Sequence, residues 1–426
     1  MSARLITLLL CYNYNHVFLV CRILRQTYFF KELVMQILSL KELNSYKNIQ
    51  ELNNLSDFSN LVVLPGFCDV HVHFREPGFE YKEDIKSGTK SALNGGYTSV
   101  MTMPNLKPAP HNVENLKVQL DSISKNSKIE ILPYATITEN SAGEKLADME
   151  KLAPYVLAYT DDGKGVQSSE MMLKAMQTAK KLDKIIVAHC EDDSLLDGGY
   201  IHDGEYAKLN GHKGICSKSE WGQIERDIEL AKKVGVKYHV CHVSTKEGVA
   251  LIRKAKSEGV DVTCETAPHY LIFNDMQMQD DGKFKMNPPI RSEKDRLALI
   301  EGIKDGTIDM IATDHAPHTA EEKSKGLKGS LNGIVGLECA FSVLYTHLVK
   351  TGIITLEKLV ELMSINPRKR FNIPFNDGYS VWDLSTEYQI DANDFLGKGK
   401  CTPFDKMKVF AVLKATIIKN EVLLIK

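Results

Sequence analysis

From residue 62 onward the chain alternates short apolar runs with amphipathic stretches. The runs are Val62–Phe74, Tyr97–Pro104, Lys128–Ile137, Val156–Gly163, Lys184–Cys190, Lys237–Val243, Val260–His269 and Asp309–His315. Between them, Met171–Met176, Ile224–Lys233 and Val249–Lys256 space their apolar residues by three and four, which predicts helices. Gly96, Gly235, Gly259 and Gly306 precede the next run, where glycine suits a helix C-terminus. Eight strand-then-helix units in about 260 residues predict a closed (β/α)8 TIM barrel. An open doubly wound sheet is the alternative, but it has fewer strands and a glycine-rich phosphate turn. Neither GxGxxG nor GxxxxGK[ST] occurs here.

The ends of the chain read differently. Leu356–Met363 predicts a helix, with Asn366-Pro367 as its stop. Tyr379–Leu384, Lys408–Leu413 and Ala415–Lys426 read as short strands. The expected organisation is an atypical segment over 1–60, a catalytic barrel over 61–365 and a small β appendage over 366–426. Near the start, Ile6–Leu10 and His16–Cys21 are apolar. Tyr12, Asn13, Arg22 and Arg25 interrupt them before a spanning helix could accumulate.

Composition narrows the class. The chain has 426 residues, 43% apolar and 25% charged, as in a soluble globular protein. A net charge of -2 gives no reason to expect nucleic acid or a membrane as partner. Nine cysteines, scattered and without a CxxC pair, fit reduced thiols and a cytoplasmic location.

Candidate chemistry lies at the strand ends, where barrels of this kind assemble their sites. The first run ends in Asp69-Val70-His71-Val72-His73, whose two histidines project from one face. The fourth ends in Thr160-Asp161-Asp162-Gly163, the fifth in His189-Cys190-Glu191, the sixth in Cys241-His242 and the eighth in Asp314-His315. Buried carboxylates are costly unless paired or metal-bound. His71, His73, His189 and His242 with two aspartates form a nitrogen and oxygen donor set suited to zinc, manganese or cobalt. Six donors exceed the needs of one catalytic zinc, so two metals sharing a carboxylate fit the count better. Asp162 is the natural bridge, with Asp161 as the alternative.

At these residues the chain resembles the bacterial class I dihydroorotases of the amidohydrolase superfamily. The motifs are PGFCDVHVHFREPG (65–78), MPN (103–105), TDDGKGVQ (160–167), VAHCEDDS (187–194), HVCHVSTKE (239–247), KMNPPIR (285–291) and ATDHAPH (312–318). They appear in family order. The resemblance implies His71, His73, Asp162, His189, His242 and Asp314 as ligands of about two zinc ions, bridged by Asp162 and hydroxide. It implies that Arg75, Asn105, Asn287 and His318 contact substrate, with Asn332 and Gly333 beside them. The reaction implied is reversible conversion of dihydroorotate to N-carbamoyl-L-aspartate in pyrimidine synthesis. The hydroxide is the nucleophile and Asp314 the general base, then acid. The alternatives are another cyclic amidase (hydantoinase or allantoinase), or a catalytically silent partner of aspartate carbamoyltransferase. Candidate protein partners are a second copy of the chain and that transferase.

Two stretches depart from the family pattern. Residues 1–60 do not read like its usual opening of short strands for a β-sandwich, and Ile49–Leu55 reads as helical or irregular. The appendage is therefore expected to be incomplete or rearranged. His318–Gly333 is rich in Lys, Glu and Gly and reads as a mobile rim loop, with Asn332 where the family has an aromatic.

Overall fold

The computed structural model describes residues 17–21, 35–39, 61–419 and 421–425. Sixteen strands run in chain order: β1 Val17–Cys21, β2 Met35–Ser39, β3 Leu61–Pro65, β4 Phe67–Val72, β5 Tyr97–Thr102, β6 Glu130–Pro133, β7 Ala158–Tyr159 and β8 Ile185–Ala188. They continue with β9 Ile201–His202, β10 Gly214–Ile215, β11 Lys237–Val240, β12 Val262–Thr266, β13 Met310–Ile311, β14 Gly378–Gln389, β15 Lys408–Ile418 and β16 Glu421–Ile425.

Parallel pairing runs β4-β5-β6 in one sheet and β7-β8-β11-β12-β13 in another. Two parallel bridges join them, Ala135 to Tyr159 and Val72 to His315. The Thr160 amide donates to the Ala135 carbonyl at 2.9 Å, and the His73 amide to the His315 carbonyl at 2.8 Å. Eight parallel strands thus close on themselves as the expected barrel. The predicted helices are present as Ser169–Lys181, Lys218–Val234 and Lys246–Ser257.

The first apolar run holds two strands, a correction to the single strand expected from its hydrophobicity. β3 pairs with β14 in the appended sheet, while β4 opens the barrel. The break falls at Gly66, where a Cβ would lie 2.3 Å from the Thr98 side chain. Only a glycine lets the chain pass from one sheet to the other at that distance.

The side-chain phase of β4 also changes along its length. Cys68 and Val70 pack in the barrel interior, whereas Val72 and Phe74 pack outward beneath the helices. Pairing with β5 is irregular between Asp69 and Val72, as at a β-bulge. The shift turns His71 and His73 inward. Asp69 holds it: its Oδ1 accepts from the His71 amide at 2.9 Å. The same carboxylate accepts from the Thr313 amide at 3.1 Å and the Thr313 hydroxyl at 2.6 Å. Burial pushes the Asp69 carboxyl up to about 7, and the Thr313 and His71 bonds oppose that rise.

The appendage is one six-stranded sheet, ordered β16-β15-β14-β3-β1-β2. Both ends of the chain supply it, and two of its strands, β1 and β2, lie within residues 1–60. Residues 49–55 lie outside the described residues. The C-terminal strands are longer than expected, at 12 residues for β14 and 11 for β15. Asn366-Pro367 does not stop its helix. Helical residues run from Leu356 to Phe371 through a π turn at Glu361–Ile365. Pro367 begins the next helical turn, where its missing N–H costs little.

Among the described residues the cysteines are free thiols, and no helix is long and apolar enough to cross a membrane. Asp69→Asn should destabilise the metal-free protein by about 1–3 kcal/mol, because its amide would meet donors from Thr313. Urea unfolding measures this; an unchanged midpoint would remove Asp69 from the account.

Candidate metal centre and active site

The six predicted ligands leave the ends of five barrel strands, with His71 and His73 together at the end of β4. His71 Nε2 lies 3.3 Å from Asp162 Oδ1 and 3.4 Å from Asp314 Oδ1. His73 Nε2 lies 3.1 Å from Asp314 Oδ1 and 3.4 Å from Asp162 Oδ2. His189 Nδ1 and His242 Nε2 are 2.9 Å apart, and each is 3.7 Å from Asp162 Oδ1. All six residues are buried. Asp162 therefore faces all four imidazoles.

Asp161 points elsewhere. Its Oδ1 accepts from the amides of Ile137 at 2.8 Å and Thr138 at 3.1 Å, and the Thr138 hydroxyl donates to Oδ2. Lys164, past Gly163, is exposed.

Burial opposes charge in this cluster; mutual attraction overcomes it at His71, His189, Asp162 and Asp314, but not at His73, which burial and the nearby Arg75 charge lower. Burial lowers His71, but Asp162, Glu265 and Asp314 raise it well above the usual imidazole range. Burial would raise Asp162 and Asp314; the charge on His71 holds both well below the usual carboxylate range. Asp162 and Glu191 carry His189 up to about 10 against its burial. The two aspartates thus demand positive charge beside them, which protons or a metal cation can supply.

Among the described residues three groups have donor atoms within 4.8 Å of one another, and two of them consist of predicted ligands alone: His71, His73 and Asp314; and His71, Asp162 and His242. His71 Nε2 and Asp162 Oδ1 are buried without a hydrogen-bond partner. Orphaned donor atoms of this type, converging from several strands, fit a divalent metal.

A cavity opens above the cluster. Every predicted site residue lines it except His71, which lies beneath. Arg75 Nε donates to the Pro317 carbonyl at 3.2 Å. Asn105 Oδ1 lies 2.9 Å from His73 Nδ1, so Asn105 orients a candidate ligand as well as lining the cavity. Asn287 Nδ2 donates to Glu191 Oε2 at 2.9 Å, and its Oδ1 is buried without a partner. His318 Nε2 donates to the Asn332 carbonyl at 2.7 Å, so Asn332 reaches the site through its backbone. Gly333 has φ +129°, and a Cβ there would meet the Ala316 carbonyl at 2.7 Å.

The segment over 318–333 is built rather than loose, a correction to the rim loop expected from its composition. It forms two short helices, Ala320–Lys323 and Gly326–Gly329. Leu327 and Lys323 are buried, and Lys323 Nζ donates to the carbonyls of Lys285 and Leu331 at 2.9 and 2.7 Å. Charged residues pinned by backbone carbonyls look mobile in a sequence because the partners lie far away in the chain.

A family model described as Dihydro-orotase-like matches residues 60–248. A dihydroorotase of Fusobacterium nucleatum is 47% identical over 411 residues, covering 94% of this chain and 96% of that one. One from Geobacillus kaustophilus is 49% identical over 357 residues, covering 82% and 83%. This chain belongs to the dihydroorotase family. Among solved structures, L-hydantoinase from Arthrobacter aurescens has a TM-score of 0.77 at 25% identity, covering 86% of each chain. A dihydropyrimidinase from Brevibacillus agri shares the fold, with a TM-score of 0.74 at 20% identity, covering 86% of this chain and 85% of that one.

Sequence reasoning missed Glu265 and Glu191. Glu265 Oε1 lies 2.6 Å from His71 Nδ1, and its Oε2 lies 3.1 Å from His239 Nε2. Burial would raise Glu265, but His71 and His239 hold it at about 2. A carboxylate on the outer nitrogen of a ligating histidine fixes its tautomer and ring. The signal was a lone acid in the apolar strand Val262–Thr266. Glu265→Gln should weaken zinc affinity by about 10- to 100-fold, read by competition with a chelator. Asp161→Asn should leave that affinity nearly unchanged while lowering stability.

Proposed function

We propose that this dihydroorotase-family chain interconverts dihydroorotate and N-carbamoyl-aspartate, a ring-opening and ring-closing step of pyrimidine synthesis. The observation that carries the reading is the charge layout of one cavity. A donor cluster suited to divalent metal forms its floor, and the buried guanidinium of Arg75 stands in its wall. A cyclic amide bearing a carboxylate matches both ends.

The residues that would hold zinc are His71, His73, Asp162, His189, His242 and Asp314. Zinc held there supplies Lewis acidity, polarising a carbonyl and making water acidic enough to ionise near neutral pH. Asp314, ionised beside His71 and His73, accepts the proton of the attacking water. It then delivers that proton to the departing ring nitrogen. Arg75 offers a planar fork to the substrate carboxylate. The unpartnered Oδ1 of Asn287 is an acceptor for a ring N–H. His318 donates from the same wall as Arg75, whose terminal nitrogen is 3.3 Å from His318 Nε2.

The test is ring opening of L-dihydroorotate by the zinc-loaded protein. Turnover is expected, reduced about 10²- to 10⁴-fold in kcat by Asp314→Asn. Arg75→Lys should raise KM about tenfold or more, because a point charge cannot replace the fork. Turnover of hydantoin or allantoin in place of dihydroorotate would overturn the reading. So would metal loading with no turnover of any of these rings.

A further inference from the structure

His318 sits in a network that its assignment as a substrate contact does not use. Its Nε2 is 2.7 Å from the Asn332 carbonyl, and a carbonyl only accepts. The Arg75 guanidinium, 3.3 Å from the same nitrogen, can only donate, but the carbonyl contact is much the shorter, so Nε2 carries the hydrogen. Burial, with Arg75 and Lys82 nearby, lowers the ring's affinity for a second proton, so the ring is neutral and Nδ1 presents a lone pair. Two groups approach Nδ1: Lys82 Nζ at 3.2 Å and Glu322 Oε2 at 3.3 Å. A carboxylate has no hydrogen to give, so the partner of Nδ1 is the Lys82 ammonium.

Lys82 is built into place. It is buried, and its ammonium lies 5.8 Å and 5.5 Å from the ring centres of Phe79 and Tyr81. It pairs with Glu322 Oε1 at 2.9 Å. Glu322 Oε2 accepts from the Thr319 amide at 3.0 Å, closing a capping box at the start of helix Ala320–Lys323. One ammonium thus ties the loop after β4 to the segment after β13 and touches the histidine between them.

We propose that Lys82 is a positioning residue that fixes His318 as its Nε2–H tautomer, so that the ring faces the cavity only as a donor. A substrate carboxylate can then replace the Asn332 carbonyl on Nε2–H, beside the Arg75 fork. Without Lys82, Glu322 Oε2 at 3.3 Å is left to accept from Nδ1 and competes with the Asn332 carbonyl for the ring's one hydrogen; the tautomer this favours has a bare Nε2 lone pair, which repels a carboxylate. Glu322 cancels the lysine's charge, so the effect is one of hydrogen-bond polarity more than of added positive potential. This assignment rests on dihydroorotate being the substrate, but the tautomer itself does not.

The experiment compares the zinc-loaded wild type with Lys82→Met and Lys82→Arg, using ¹⁵N-histidine NMR and ring-opening kinetics. His318→Asn identifies the His318 signals. The wild type should show the Nε2–H tautomer, without titration between about pH 6 and 8. Lys82→Met should populate the Nδ1–H form and raise KM for dihydroorotate about tenfold, with kcat changed less than about threefold. Lys82→Arg, which can still donate, should restore the tautomer and most of the KM. An unchanged tautomer in Lys82→Met would overturn the proposal. A fall in kcat at constant KM would also overturn it, by marking a role outside carboxylate recognition. If the wild type turns over no dihydroorotate, the functional reading fails while the NMR still decides the tautomer.

Discussion

The site depends on how the first barrel strand meets the last. Asp69 is a buried carboxylate that accepts from the His71 amide and from both the amide and hydroxyl of Thr313. The first of these bonds holds the bulge that turns His71 and His73 inward. The other two fasten the strand to the residue before Asp314. One side chain therefore sets the phase of two candidate ligands and the position of a third. A parallel barrel has no edge to absorb an error in this seam, so the register of closure decides whether the donors converge.

Convergence then creates an electrostatic demand. Asp162 lies buried within 3.7 Å of four imidazoles, and Asp314 within 3.4 Å of two of them. Carboxylates so placed are expensive unless cations neutralise them. Glu265 and Asn105 occupy the far nitrogens of His71 and His73, leaving the near nitrogens for the centre. Three of the twelve non-glycine residues with positive φ among the described residues stand at the same rim: Arg75, His242 and Asp314, at 59°, 33° and 49°. Non-glycine residues in that region cost about 1–3 kcal/mol each and persist where the surroundings over-determine them.

Much of this was legible in the sequence because period and position carry it. The eight apolar runs marked the barrel, and the polar residues at their ends marked the rim. Pairs such as Asp161 and Asp162 were separable only through Ile137 and Thr138, whose amides capture the first carboxylate. Glu265 was hidden because a single acid in an apolar strand does not reveal which histidine it faces. Lys82, Glu322 and Lys323 looked like solvated charges; their partners come from loops joined only when the barrel closes. The division of Val62–Phe74 into two strands was invisible to hydrophobicity, since both halves are buried, and rests on the lack of a side chain at Gly66.

The most direct measurement is anomalous scattering at the zinc edge from crystals of the protein grown with zinc. The account predicts peaks within the His71, His73 and Asp314 group and within the His71, Asp162 and His242 group. Strong peaks at other histidines, with none between these residues, would contradict it.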